Sequence, residues 1–420
     1  MKAVLMAGGR GTRISSIARD IPKPMIKICG KPILEHEIAC LREQGFIDLI
    51  ITVSYLSEVI INYFGDGSKF GVHIEYFIEK EPLGNAGALF KLKDKLLEDF
   101  LLLNADVMFD IDFNRFVAYH KEKGGLVTLF THPNSHPYDS GLLIADSSGA
   151  VVKWLTKEDE RPENYANRVN AGIHVVSPKV LDCKIDTSKI DLDRQLLKPL
   201  AGTGDMFAYD SPEYVKDMGT PERFESVRKD FVNGLVQSRN LKNKQKAIFL
   251  DRDGTINEYV GFLTNINDFR LIDGVCDAIK NINKSEYLAI VITNQPVIAR
   301  GEVTREELRD IHNKMETLLG NGGAYINAIY FCPHHPDMGF EGEVKELKIA
   351  CDCRKPKPGL IIQASKDFNI DLSQSWMIGD SDLDILCGRN AGCKTARIGF
   401  DDIADIQGKN LLECVSKILN

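Results

Sequence analysis

The chain has 420 residues, 44% hydrophobic and 27% charged, with a formal net charge of −8. That length predicts two or three domains, the apolar content excludes a disordered chain, and the acidity argues against a general nucleic-acid binder. No apolar run reaches the length of a membrane span, and the opening MKAVLMAGGRGTR lacks a signal peptide's apolar stretch and cleavage site. A cytoplasmic chain with no membrane partner is expected, a compartment in which structural disulfides are rare.

AVLMAG, LIITVSYL, FLLLNAD, VTLFTH and AGIHVVSP read as buried strands. Between them, KPILEHEIACLREQG puts Leu34, Ile38 and Leu41 on one helix face and stops at Gly45. This alternation predicts an α/β fold with a mostly parallel sheet. The polar stretch 236–246, VQSRNLKNKQK, reads as a linker between domains 1–235 and 247–420. The second half repeats the pattern with AIFLDRDG, YLAIVITN, INAIYF, SWMIGDS and TARIGF, and TREELRDIHNKMETLLG opens on a Thr304–Glu307 capping box.

In the first domain, the loop LMAGGRGTR is neither a dinucleotide fingerprint nor a Walker A loop. Gly8, Gly9 and Gly11 let backbone N–H groups approach phosphate, and Arg13 adds a charged fork. Alone, the loop reads equally as a tight strand-to-helix turn. Lys23 lies between two prolines, EKEPLGNAGAL carries a second small-residue loop, and apolar stretches end in Asp106 and Asp217. Carboxylates at strand ends suit metal and phosphate chemistry. Asp110 and Asp112 fit no motif and read as surface carboxylates.

In order, these pieces resemble the sugar-1-phosphate nucleotidyltransferase family, whose pattern is L-A-G-G-x-G-T-R, P-K-P, E-P-L-G-T-A-G-A-L, N-A-D and D-x-G-T-P. The resemblance implies a Rossmann-like domain in which a sugar 1-phosphate attacks the α-phosphorus of a nucleoside triphosphate. It implies a nucleotide site of Ala7, Gly8, Gly9, Gly11, Thr12, Arg13, Lys23, Glu79, Gly84 and Asp106. Arg13 and Lys23 would act in catalysis, and Asp106 and Asp217 would hold Mg²⁺. Glu79 falls where the family reads the base. A carboxylate only accepts hydrogen bonds, which suits the N1–H and N2–H of guanine and predicts GTP, unless Glu79 is a plain surface residue. On the sugar side Gly141 and Asn170 match, but Thr156 stands where many relatives carry glutamate, followed by Lys157, which argues against a common hexose.

In the second domain, strands end in Asp251-x-Asp253, Thr293-Asn294 and Asp380, with CRKPKPG between the last two. The ordered set resembles the haloacid-dehalogenase superfamily. It implies Asp251 as nucleophile, Asp253 as general acid and base, and Thr293 and Asn294 on phosphoryl oxygens. Lys355 would neutralise charge, with Arg354 beside it on the phosphate and Lys357 as the alternative cation. Mg²⁺ would be held by Asp251, Asp253 and Asp380. The gaps between motifs leave no room for a cap domain. Cys332, His334, Cys351 and Cys353 have the spacing of a closed tetrahedral zinc site, a structural staple running into Arg354 and Lys355, with His335 pointing elsewhere.

DRDGTIN, TNQPVIARG, CPHHP and CDCRKPKPG further resemble the subgroup of heptose 1,7-bisphosphate and histidinol phosphatases, although Pro296-Val297 departs from its usual loop. Together the two resemblances imply consecutive steps: removal of the 7-phosphate, then guanylyl transfer to heptose 1-phosphate, with GTP and heptose phosphates as substrates and a homo-oligomer compatible with both. The alternatives are a mannose-1-phosphate guanylyltransferase beside a histidinol-phosphatase-like enzyme, and a sugar-phosphate sensor without catalysis.

Overall fold

The apolar runs bounded by glycine and charge become the strands of two large sheets. The computed structural model describes residues 1–9, 21–183, 185, 189–400 and 403–420. They divide into one unit of Met1–His132, Leu143–Leu155 and Asn170–Asn240, and another of Pro133–Leu142, Thr156–Val169 and Leu241–Asn420.

The first unit is built from β1 (Ala3–Met6), α1 (Ile33–Arg42), β2 (Asp48–Val53), β3 (His73–Ile78), β4 (Phe100–Asn104), β5 (Val107–Asp110), α2 (Phe113–Lys123), β6 (Val127–His132), β7 (Leu142–Ala145), β8 (Val151–Leu155), β9 (Val169–Val176), β10 (Met206–Asp210), β11 (Tyr214–Asp217) and α3 (Pro221–Val232). Its nine-stranded sheet runs β8-β7-β9-β4-β1-β2-β3, with β6 paired to β9 and β10. β1 lies parallel to β2 and β4, whereas β9 runs antiparallel to β4. Side chains alternate between two cores. Leu5 and Leu103 pack with Leu34, Ile38 and Leu41 of α1, while Val4 and Leu102 face the opposite cluster. Each such fully buried side chain stabilises the fold by roughly 2 kcal/mol.

The second unit contains β12 (Lys246–Leu250), α4 (Val275–Asn283), β13 (Tyr287–Asn294), α5 (Arg305–Asn321), β14 (Ala328–Cys332), α6 (Gly359–Asp367), β15 (Trp376–Gly379), α7 (Asp382–Ala391), β16 (Lys394–Ile398), β17 (Ile406–Gly408) and α8 (Leu411–Leu419). Its sheet, β14-β13-β12-β15-β16-β17, is parallel throughout. Both faces are covered, so its strands read as nearly continuous apolar runs. The Thr304–Glu307 capping box starts α5 as the sequence predicts.

Two features depart from the sequence reading. The stretch expected to be a linker carries a short helix, Leu235–Ser238, and its Val236 packs with Ile33, Met108 and Val227. The second unit also takes in residues 133–142 and 156–169, placed by the sequence wholly in the first domain. There the Tyr165 N–H donates to Thr317 Oγ1 at 2.9 Å, and Arg168 Nη1 pairs with Glu316 Oε1 at 2.8 Å, both on α5. Among the described residues, no helix is long and apolar enough to cross a membrane.

Candidate active sites and metal centre

In the first unit, the antiparallel ribbon of β5 and β11 sets Asp217 opposite Val107 and thus beside Asp106. Lys23, held in the short turn Lys23–Met25, reaches Asp106 Oδ2 at 2.5 Å. Asp217 accepts from the Gly219 N–H at 2.8 Å and from Arg223 Nη1 at 2.7 Å. Burial pushes the Asp217 carboxyl up, but Arg223, Gly219 and Lys23 outweigh it and hold it below its ordinary range. Glu37 on α1 was not singled out from the sequence. It is buried and accepts from the Val107 N–H at 3.3 Å. Burial, then the Asp106 charge, pushes it well above the usual carboxylate range.

Glu79 Oε1 lies 3.4 Å from where a Cβ on Gly8 would stand, so the carboxylate faces the first glycine loop. Burial raises its pKa, opposed by the Leu83 N–H. Gly84 has φ +77°, and a Cβ there would strike the Ile190 carbonyl. That close packing ties its loop down, with the Ala86 N–H donating to Ile190 O at 3.0 Å. Ala7 is buried at the end of β1, where its N–H donates to Thr52 O, and Gly9 follows with open space around it. Gly11, Thr12 and Arg13 lie outside the described residues.

Gly141, Thr156 and Lys157 belong to the segments assigned to the second unit, and Asn170 to the first. The Thr156 N–H and hydroxyl both donate to Asp159 Oδ2, at 2.7 and 2.8 Å, so this side chain serves a local turn. Asn170 Oδ1 accepts from the Gly172 N–H and meets His174 Nε2, each at 3.1 Å. Asp112, read as a surface carboxylate, is instead a buried N-cap of α2 that accepts from the Asn114 and Arg115 N–H groups. Asp110 accepts from Asn240 Nδ2 at 2.6 Å.

In the second unit the parallel sheet delivers Asp251, Thr293 and Asp380 to one edge, because each ends or follows a strand. Lys355 is buried among them, its Nζ 2.7 Å from Asp251 Oδ1, 2.6 Å from Asp384 Oδ1 and 3.0 Å from Ile292 O. Burial opposes the Lys355 charge, but the two carboxylates outweigh it and raise its pKa. Burial, then Asp384, pushes Asp251 up to about 7, with Lys355 opposing. Gly254 has φ +83°, and a Cβ there would run into the Asp380 carboxylate.

Several assignments shift. Oxygens of Asp251, Asp380 and Asp384 lie within 4.8 Å of one another, so the group able to hold a metal contains Asp384 rather than Asp253. The Asp253 carboxylate lies outside that group and accepts from Arg252, Gln295 Nε2 at 2.8 Å and Asn257 Nδ2 at 3.0 Å. Asn294, expected on phosphate, accepts from the Lys355 N–H at 3.0 Å and donates to Lys355 O at 3.2 Å, bracing the lysine's backbone. Arg354 donates to His334 O at 3.3 Å. Lys357 is exposed and pairs with Asp352, which leaves the buried role to Lys355. Thr293 is buried and accepts from Gln295 at 2.9 Å.

Cys332, His334, Cys351 and Cys353 present four ligand atoms within 4.8 Å of one another. Cys353 Sγ lies 3.2 Å from both other sulfurs and 3.2 Å from His334 Nδ1. A tetrahedral ion with Zn–S bonds of about 2.3 Å separates its ligand atoms by roughly 3.8 Å, so the cluster fits after a small expansion. Three thiols and an imidazole are the donor set zinc prefers, and none of the ten cysteines is in a disulfide. His335 sits apart, edge-on to Phe340.

Three proteins give context. The probable mannose-1-phosphate guanylyltransferase 2 of Oryza sativa subsp. japonica is 31% identical over 56% of this chain, which spans just under two thirds, 64%, of that protein. The crystal structure of HddC from Yersinia pseudotuberculosis is 26% identical, covering 55% of this chain and 99% of its own, with a TM-score of 0.48. A D,D-heptose 1,7-bisphosphate phosphatase from B. bronchiseptica, solved with magnesium and phosphate, is 28% identical, covering 42% of this chain and 98% of its own, with a TM-score of 0.37. Residues 352–406 match the HAD-hydrolase-like family. The Nucleotidyl transferase family profile matches residues 2–233, more than half of the chain, and the chain belongs to that family.

Proposed function

We propose that the chain is a bifunctional enzyme that removes one phosphate from a heptose 1,7-bisphosphate and then transfers GMP from GTP to the heptose 1-phosphate. The observation that carries the reading is that each unit holds acidic side chains against buried or half-buried cations, beside its glycine loop or strand ends. In the first unit a sugar-phosphate oxygen attacks the α-phosphorus and pyrophosphate leaves. Lys23 offsets charge on the triphosphate, and Glu79 accepts from guanine. In the second unit an Asp251 oxygen bonds to phosphorus as the sugar oxygen departs with a proton from Asp253. Water, giving a proton back to Asp253, then releases phosphate.

Asp106 and Asp217 would hold Mg²⁺ in one unit, and Asp251, Asp380 and Asp384 in the other, where the ion offsets negative charge on phosphoryl oxygens. Zinc on Cys332, His334, Cys351 and Cys353 would fix the loop that leads into Lys355.

The heptose assignment rests on the order of the two reactions, since the product of one is the substrate of the other. A second reading, mannose 1-phosphate as acceptor, is favoured by the guanylyltransferase name of the rice relative. Profiling sugar 1-phosphates against four nucleoside triphosphates decides between them. Heptose 1-phosphate with GTP is the expected best pair, and Glu79→Gln should cost GTP more than the others. Preference for mannose 1-phosphate, or for a pyrimidine nucleotide, overturns the respective assignment.

A further inference from the structure

The Asp253 carboxylate is aimed by one guanidinium. Arg252 Nη2 donates to Asp253 Oδ1 at 2.9 Å and Oδ2 at 2.8 Å, and its Nε lies 3.2 Å from Oδ1. The Arg252 side chain is fully buried, so its remaining donors need partners inside the protein. Nη2 also donates to Gln295 Oε1 at 3.0 Å, and Nη1 reaches His312 Nε2 at 3.2 Å. Gln295 closes the circuit by donating to Asp253 Oδ2 and to Thr293 Oγ1.

A guanidinium has donors only, so His312 Nε2 must be the acceptor and carry no proton. Burial, reinforced by the Arg252 charge, holds His312 well below its ordinary pKa, which agrees with a neutral ring. His312 stands on α5, with its ring edge-on to Phe331. One turn further along α5, Glu316 and Thr317 bond Arg168 and Tyr165. The helix that presents His312 is thus fastened on the same side by the segment 156–169.

We propose that His312, which no motif marks, is a positioning residue for phosphate release: its Nε2 anchors one end of the Arg252 guanidinium, whose other edge sets the Asp253 carboxylate. The guanidinium is planar and rigid, so fixing Nη1 fixes the plane in which Nε and Nη2 meet Asp253. Without an acceptor at His312, Nη1 turns toward another partner and the carboxylate turns with it. This inference rests on the phosphatase reading of the second unit.

The test uses the full chain. His312→Leu removes the acceptor, and His312→Gln offers an amide oxygen in its place. With a sugar bisphosphate, whose leaving oxygen needs a proton, His312→Leu should lower kcat by about 100-fold, the scale of general acid catalysis, with KM changed less than about threefold. With p-nitrophenyl phosphate, whose leaving group needs little protonation, the loss should be far smaller. His312→Gln should recover most of the sugar bisphosphate rate. Equal losses on both substrates, or no recovery with glutamine in a protein of wild-type thermal stability, overturn the proposal. Nitrogen NMR of the wild type supplies a readout independent of turnover: Nε2 should be unprotonated at pH 7, and a proton found there overturns the proposal. A wild type that releases no phosphate from any sugar phosphate overturns the phosphatase reading instead, and the NMR result still decides the role of His312.

Discussion

Replacing Asp384 by Asn tests the electrostatics of the second unit most directly. Asp384 is fully buried, pairs with Lys355 at 2.6 Å and accepts from Ser381 N and Oγ at 3.1 and 2.6 Å. Breaking a buried ion pair costs roughly 3–5 kcal/mol when the partner charge is stranded. Here Lys355 keeps Asp251 at 2.7 Å, so about half of that, roughly 2 kcal/mol, is the expected loss. For a unit of this size that lowers Tm by roughly 4–8 °C. The sign of the pH effect also follows. Burial, then Asp384, pushes Asp251 up, so removing the Asp384 charge lowers the pKa of Asp251. In metal-free protein the Asp251 carboxyl should therefore titrate at lower pH. Differential scanning calorimetry and a carbon NMR titration of the aspartate carboxyls, both without Mg²⁺, measure the two effects. An unchanged Tm together with an unmoved Asp251 titration would refute the placement of Lys355 between the two carboxylates.

Two further expectations concern stability. Cys351→Ser removes one of the four clustered donors, so zinc content by elemental analysis should fall below one per chain and the second unit should unfold at lower temperature; full retention of zinc sinks the ligand set. Arg168→Leu takes the guanidinium away from buried Glu316, so chemical denaturation should show a loss of about 3 kcal/mol, whereas the double change with Glu316→Leu should lose less. If the double variant is the less stable, the pair is not what ties segment 156–169 to α5.

The strand-end carboxylates were legible because an apolar run that stops at Asp announces the edge of a sheet. Asp106, Asp217, Asp251 and Asp380 all lie where that pattern puts them. The cysteine cluster was legible for a similar reason, since its spacing is local. Asp384 was not, because a charged residue inside SDLDILCG looks like a solvated helix position until α7 packs and buries it. Glu37 hides the same way in LEHEIAC. The grip of Arg252 on Asp253 was also invisible, because it depends on Gln295 and His312, brought together only by the fold. The assignment of residues 133–142 and 156–169 to the second unit is likewise a tertiary outcome. Nothing in their composition separates them from the strands they connect.

The balance of charge differs between the two sites, and this predicts how each would acquire the magnesium proposed for it. In the second unit Lys355 pairs with Asp251 and Asp384, Asp380 feels the charges of Lys355 and Arg397, and Asp253 is engaged by Arg252. Crowding shows in the carboxyls themselves: burial and Asp384 push both Asp251 and Asp380 up. A divalent ion relieves that repulsion without help from substrate. In the first unit, among the described residues, Lys23 pairs with Asp106 and Arg223 with Asp217. Two unit charges about 2.6 Å apart attract by roughly 6 kcal/mol at an effective dielectric of about 20, before desolvation, so these pairs hold their carboxylates against a metal. Magnesium there needs the added negative charge of a nucleotide's phosphates, the common arrangement for an ion that keeps several waters and few protein ligands. Calorimetric titration with Mg²⁺ alone should therefore detect one site per chain, abolished by Asp380→Asn and untouched by Asp106→Asn. Adding a non-hydrolysable GTP analogue should bring in the second site. Two sites without nucleotide, or a nucleotide-free site lost with Asp106, would mean that the ion pairs of the first unit do not control its metal.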